Sequence, residues 1–237
     1  MKMEREHTKA LDFEAVRAIA ADTPDSELIR WVDAALREKT GYTLPPKIHI
    51  SQQDGDYYNV MPCIYERGNL AMVKMIGHHG HQQRIMDLFR EDPNVHFVLC
   101  DTYEEVIGGS DLVISAITKV TENFVTDEYF KEGCTVIPIC TMGFQNCDLF
   151  FDRVFTDEME QIRGFKYFDH FAPVTTNVTD VLNGAAPGRT NNVQRILVYN
   201  YGIAIHDLVF AANLLARAET PDTPYRCCRK KYFIRCF

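Results

Sequence analysis

Near the start of the chain, Leu28, Trp31, Val32, Ala35 and Leu36 recur at the spacing of one buried helical face, so Pro24–Lys39 is predicted to be helical. Thr23 ahead of Pro24 is expected to open this helix. Gly41 is expected to close it, because glycine takes the left-handed position after a helix at no steric cost. After Leu44-Pro45-Pro46 the pattern shortens: Lys47–Ser51, Tyr57–Tyr65 and Leu70–Ile76 read as strands, separated by turn signals at Asp54-Gly55 and Arg67-Gly68-Asn69. Together they predict an antiparallel meander. Lys47 falls at the start of its first strand and Lys74 inside the apolar run Met72-Val73-Lys74-Met75-Ile76, where an ammonium needs an anion or a route to solvent.

From residue 82 the rhythm changes. A helix over Gln82–Glu91, a strand over Val95–Cys100, a helix over Tyr103–Ile107, a strand over Leu112–Ile117, a helix over Asp127–Lys131 and a strand over Thr135–Ile139 follow one another. Helices alternating with short apolar runs predict a parallel α/β sheet. Asp152–Phe155 adds a further strand, Phe165–Val174 reads as an aromatic, irregular connection, and Ala204–Ala218 reads as a long helix with Ile205, Leu208, Val209, Ala212, Leu215 and Ala216 on one face.

The chain has 237 residues, 46% of them apolar and 24% charged, which excludes a disordered polymer and allows a substantial core. The formal charge is −8, so a broad grip on nucleic-acid backbones is not expected. The basic residues Arg226, Arg229, Lys230, Lys231 and Arg235 crowd into the final stretch, which leaves the body more acidic still. No apolar run is long enough for a membrane span, and the polar start lacks the apolar region of a secretion signal, so a cytoplasmic protein is expected. Eight scattered cysteines without a C-x-x-C pair read as reduced thiols.

Several constellations carry candidate chemistry. A dinucleotide's pyrophosphate needs a glycine-rich turn between strand and helix, and no G-x-G-x-x-G is present; Gly77-His78-His79-Gly80-His81 comes nearest, with bulky imidazoles at the positions that should be small. Those histidines also admit a metal, but a solvated connection explains them equally well, and no metal site is expected. The loop from Cys140 to Asp148 follows a strand at its carboxyl end, where open α/β sheets bind ligands. Asp148 there is either a proton-transfer group or a helix N-cap. Cys140 and Cys147 read as packing thiols.

Several blocks recur in one order along most of the chain: Leu44-Pro45-Pro46-Lys47, Tyr58-Asn59-Val60-Met61-Pro62, Met72–Ile76, Gly109–Thr118, Phe130–Pro138, Pro187-Gly188-Arg189 and Val198–Asp207. Together they resemble the ornithine cyclodeaminase/mu-crystallin family. The resemblance implies NAD as cofactor in a Rossmann-like domain, a small amino acid substrate held by a facing antiparallel domain, and a homodimer. It places Lys47 and Lys74 on the substrate carboxylate, with Met61 in the same pocket. It also places Thr118 and Gly202 beside the cofactor and Asp207 at the start of the last helix. The family's general-base aspartate falls at Met142 by an ungapped count, with Asp148 as its stand-in.

The family's long segment between the lysine strand and the second half of its sheet is reduced here to a loop of a few residues after Ile76, too short for a βαβ unit. The expected fold is therefore α/β, with a Rossmann-like parallel sheet lacking its glycine-loop half and a smaller α+β antiparallel substrate and dimerisation domain. Residues 1–80 with 200–220 form the antiparallel domain in this reading, 81–199 the partial Rossmann-like domain and 221–237 a tail. The implied activity is NAD-assisted deamination and cyclisation of the ornithine-to-proline type. A non-catalytic binding or structural paralogue, and an imine reductase or amino acid dehydrogenase on the same scaffold, are the alternatives.

Overall fold

A computed structural model describes residues 11, 13–51, 57–77, 98, 100–117, 124–139 and 150–218, with backbone alone at 49, 51, 57–59 and 74–77. The chain divides into two compact units, one of residues 1–45, 62–73 and 204–237, the other of residues 46–61 and 74–203.

In the first unit, α1 (Phe13–Ala21), α2 (Asp25–Arg37) and α7 (Ala204–Ala218) pack together, with Ile19, Leu214 and Ala218 buried against Leu11, Val16 and Trp31. The sequence reading found α2 and α7 but not α1, and this displaces part of the expected α7 face. Ala216 is exposed while Leu214 and Ala218 are buried, because α1 covers that side. Trp31 meets the Phe210 ring edge-on at 5.4 Å, and Arg217 pairs with Glu27 at 2.6 Å. Thr23 does not cap α2; its hydroxyl donates to the Ile19 carbonyl at 2.7 Å, closing α1 instead. Nor does Gly41 take a left-handed conformation: it lies in the 3-10 turn Lys39–Gly41 that leads to β1 (Tyr42–Thr43).

The antiparallel sheet is organised around β3 (Tyr57–Tyr65), which pairs with β2 (Ile48–Ser51), with β1 along its last residues, and with β4 (Leu70–Gly77). The expected meander strands are present almost as read. Among them the sequence reading omitted only β1, whose two residues are too short to show a period.

The second unit carries a five-stranded parallel sheet of β5 (Leu112–Ser115), β6 (Thr135–Pro138), β7 (Arg153–Thr156), β8 (Thr175–Asn177) and β9 (Ile196–Tyr199), in the order β5-β6-β9-β7-β8. One face, with Val113, Val136, Val154, Leu197 and Tyr199, is buried against Phe130, Ile162 and Phe171. On the other face Leu112 and Ile114 at the β5 edge are 53% and 60% exposed. A short helix, α3 (Tyr103–Ile107), precedes β5, and three more, α4 (Met159–Ile162), α5 (Phe168–Phe171) and α6 (Val178–Leu182), lie between β7, β8 and β9. Thr102 caps α3 by accepting from the Glu105 N–H at 3.2 Å, while the Glu105 carboxylate accepts from Asp101 N–H at 2.9 Å, a reciprocal cap.

Three local expectations change. Asp127–Lys131 forms a single 3-10 turn over Asp127–Tyr129, and the Phe165–Val174 connection contains α5 and another 3-10 turn. Aromatic residues at 165, 168 and 171 pack into the core at helical spacing, which shapes a connection that composition alone suggested was irregular. The helix expected at Gln82–Glu91 and most of the strand expected at Val95–Cys100 lie outside the described residues; Val98 and Cys100 are not in a strand.

Gly133 ties the loop before β6 to the loop before β9. Its N–H donates to the Val193 carbonyl at 3.0 Å, its φ is +77°, and a Cβ there would collide with the Asn192 carbonyl oxygen. Gly133→Ala is therefore expected to lower stability by about 2–4 kcal/mol, from the left-handed backbone and the clash together, measured by urea unfolding against Gly109→Ala, which shares the positive φ but has open space.

Candidate functional site

The carboxyl ends of β5, β6, β9 and β7 lie side by side, and their ladder continues one hydrogen bond past the strands. Ile139 N–H donates to Ser115 O at 2.9 Å, Asn200 N–H to Pro138 O at 3.1 Å, and Asp157 N–H to Tyr199 O at 3.1 Å. Open parallel sheets bind ligands at this rim, because the loops that leave it diverge and open a crevice.

Three features of the rim are chemically distinctive. Asp157, at the end of β7, is only 5% exposed, and its carboxylate accepts from the Gly202 N–H at 3.0 Å. Gly202 itself has φ +72°, a conformation that disfavours any side chain. Tyr201, 7% exposed, packs against Phe165 and Tyr199 with ring centroids 5.6 and 6.2 Å away, and the Lys47 ammonium stands 6.0 Å from its ring centroid. Third, the Ser115 hydroxyl at the end of β5 is buried and finds no hydrogen-bond partner among the described residues. Such an atom costs free energy unless something satisfies it.

Of the residues singled out from the sequence, Lys47 and Gly202 are brought close to the same turn: Lys47 faces Tyr201, the neighbour of Gly202. Met61 is buried within β3. Lys74 lies in β4, where only the backbone is described. Thr118, Asp148, Cys140, Cys147 and the histidines at 78, 79 and 81 lie outside the described residues. Among the described residues no group of three or more His, Cys, Asp or Glu is placed to hold a metal.

Asp157 and Ser115 were missed as candidate site residues, whereas Tyr201 belongs to the Tyr201-Gly202 turn that the resemblance places near the cofactor. Asp157 had a signal: it directly follows the apolar run Val154-Phe155-Thr156, at the carboxyl end of a strand in an α/β section. The expected strand ended at Phe155, one residue before the structure's, which hid that placement.

The described buried thiols are not nucleophiles. Burial pushes Cys63 up, with the Asp207 charge adding to the shift. Cys134 is also pushed up by burial, against the opposing pull of Arg195, Arg189 and Lys131. A raised pKa leaves the thiol protonated and inert near neutrality.

No family model matches the chain. A curated relative, the nodulation efficiency protein NfeD of Rhizobium meliloti, is 29% identical over 123 residues, 49% of this chain; the match spans only 38% of that relative's length. Solved structures align over far more. The Δ1-pyrroline-2-carboxylate reductase of Thermococcus litoralis, in complex with NADH and L-proline, gives a TM-score of 0.69 at 12% identity, covering 89% of this chain and 97% of that one. The probable ornithine cyclodeaminase of Bordetella pertussis Tohama I gives 0.67 at 9% identity over 84% of this chain and 94% of that one. An archaeal alanine dehydrogenase dimer with bound NAD gives 0.69 at 14% identity over 96% of this chain and 100% of that one. At these identities the shared property is the fold, and it matches the expected pairing of a parallel Rossmann-like sheet with an antiparallel sheet.

Because the Ser115 hydroxyl is buried without a partner among the described residues, Ser115→Ala is expected to leave the midpoint of thermal unfolding unchanged or slightly raised. Thr156→Val is the contrast: the Thr156 hydroxyl is hydrogen-bonded to the Glu158 backbone at 3.2 Å, and its loss is expected to cost about 1 kcal/mol, read by the same melting experiment.

Proposed function

We propose that this chain is an internally shortened member of the ornithine cyclodeaminase/mu-crystallin family and acts on a small amino or imino acid with NAD as cofactor. The observation that carries the reading is the Lys47 ammonium held beside the Tyr201-Gly202 turn at the carboxyl rim of the parallel sheet. A cation there suits a substrate carboxylate. The residues present fit the cofactor on its reactive side: the Ser115 hydroxyl, without a partner among the described residues, and the turn at Gly202 both lie at the rim where this class of sheet receives a nucleotide.

When bound, NAD would supply reversible hydride transfer at the substrate Cα. The chain's own residues do the rest. Lys47, with Lys74 and Met61, orients the substrate by its carboxylate and its apolar side. Thr118 and Gly202 border the cofactor. Asp148 moves the proton that accompanies loss or capture of the amine. A homodimer and a cytoplasmic location belong to the same reading; the alanine dehydrogenase neighbour is itself a dimer.

Two observations favour a second reading, a paralogue that binds ligands without catalysis. The sequence contains no glycine-rich dinucleotide turn, and the β5 edge leaves Leu112 and Ile114 exposed.

The readings separate in one titration. Purified protein is mixed with NADH and followed by nicotinamide fluorescence, then supplied with L-ornithine plus NAD, or with Δ1-pyrroline-2-carboxylate plus NADH, and the products are identified. Proline and ammonia from ornithine assign cyclodeamination; proline from the imine, with NADH consumed, assigns a reductase. No NADH binding at millimolar ligand removes the enzyme reading. In an active protein, Lys47→Ala is expected to raise the substrate KM about 10- to 100-fold, the size of a lost hydrogen bond to a charged group.

A further inference from the structure

The two edges of the parallel sheet are finished differently. At one, β8 consists of Thr175, Thr176 and Asn177, the Thr175 hydroxyl donates to the Phe171 carbonyl at 2.8 Å, and the chain passes straight into α6. At the other, β5 reads Leu112-Val113-Ile114-Ser115 in continuous register with β6. It carries no lysine, proline or bulge, the devices that keep a natural edge from pairing with another strand.

The ladder to β6 identifies the backbone groups left at this edge. Thr135 N–H donates to the Asp111 carbonyl and Ile139 N–H to the Ser115 carbonyl, both at 2.9 Å, with Leu112 opposite Thr135 and Ile114 opposite Ile137. Alternate residues of a parallel strand bond to one neighbour, so 111, 113 and 115 serve β6, and the N–H and C=O of Leu112 and Ile114 face outward. No described residue pairs with them there. The side chains of both are exposed on one face of the sheet, and Ile139, 46% exposed, continues that face beyond β6.

This edge complements itself. When two copies are laid antiparallel about a two-fold axis beside Val113, Leu112 falls opposite the partner's Ile114, and the outward N–H and C=O groups of each pair can exchange hydrogen bonds. Both leucines and both isoleucines then close into a single apolar cluster. Asp111 faces the partner's Ser115, so no carboxylate meets another along the strand, and Lys131 already holds Asp111 at 2.6 Å.

We infer that β5 is a self-pairing edge, through which two copies of this chain join their parallel sheets antiparallel, in the register that sets Leu112 against the partner's Ile114. The surface is distinct from the antiparallel domain to which the resemblance assigns dimerisation, and the inference rests on neither Lys47 nor NAD. A four-residue edge is smaller than the roughly 1,200–2,000 Å² of a standard interface, so pairing is expected to depend on concentration in the micromolar-to-millimolar range.

The first test is amide hydrogen exchange of the full wild-type chain, resolved by NMR. Exchange at Leu112 and Ile114 is expected to slow about tenfold between about 10 μM and 1 mM protein, while Val113 and Ser115, bonded to β6, stay slow throughout. Fast exchange of Leu112 and Ile114 at every concentration overturns the inference. Protection that does not change with concentration overturns it too, since a segment of the same chain would then cover the edge.

The second test reads the register by sedimentation equilibrium. Both positions are exposed, so charged variants are expected to keep the wild-type melting midpoint. The double variant Leu112→Lys/Ile114→Lys places like charges opposite each other and is expected to weaken association at least about tenfold. Leu112→Lys/Ile114→Glu sets each lysine against the partner's glutamate and is expected to recover part of that loss. Equal association of the two double variants refutes the register, and association of both as tight as the wild type refutes the edge as an interface.

Discussion

The second unit depends on a strand from late in the chain taking the middle of a sheet built by earlier ones. Strand β9 pairs with β6 on one side and β7 on the other, and Leu197 and Tyr199 are buried in the core between them. Its four residues supply the register for both neighbours: Leu197 stands opposite Val136 and Val154, and Tyr199 opposite Thr156. A parallel strand buried in this way has no freedom to slip, because a shift of one residue would turn Leu197 and Tyr199 to the other face. The turn that follows β9 is therefore delivered to a fixed height on the rim. Asp157 can hold it only because β7 is fixed in the same ladder.

This dependence also explains which features were legible from the chain. The antiparallel strands alternate and are punctuated by Asp-Gly and Gly-Asn, so their limits could be read almost to the residue. The helices α2, α3 and α7 carry a clear period. Strand β9 was not read as a strand, although Ile196-Leu197-Val198-Tyr199 is an uninterrupted apolar run. Four residues of continuous apolarity have no period, and only the partners on either side make them a central strand. For the same reason β8, with Thr175, Thr176 and Asn177, was invisible: its identity comes from the edge of β7, not from its own composition.

The candidate site was legible in one half. Lys47 drew notice because an ammonium beside an apolar strand calls for a partner, and the structure supplies an aromatic one in Tyr201. Nothing local predicts that pairing, since 154 positions separate the two residues and only the sheet brings them together. Asp157 is a similar case. A single aspartate after a strand is ordinary, and its meaning appears only when Gly202 arrives from β9 with a left-handed backbone and an N–H to satisfy. Sequence reasoning sees what a residue needs; topology decides what meets the need.

The two ends of the parallel sheet use their polar groups differently. At the amino end, Arg189 donates to the Gln194 carbonyl and the Thr135 hydroxyl, Arg195 to the Phe130 carbonyl and Arg153 to the Pro187 carbonyl, while Lys131 pairs with Asp111. Each of these cations ties a loop to the start of a strand, and its donors are directed at the protein's own backbone or side chains. They form a structural seam whose bonds a ligand would have to break. At the carboxyl end, by contrast, a buried hydroxyl at Ser115 has no protein partner among the described residues, and the Lys47 ammonium stands 6.0 Å from the Tyr201 ring centroid. A buried hydroxyl without a partner costs free energy, which a hydrogen-bonding group brought to it would recover. The seam at one end thus ties loops to the strand starts, while at the other end the Ser115 hydroxyl keeps hydrogen-bonding capacity to spare among the described residues.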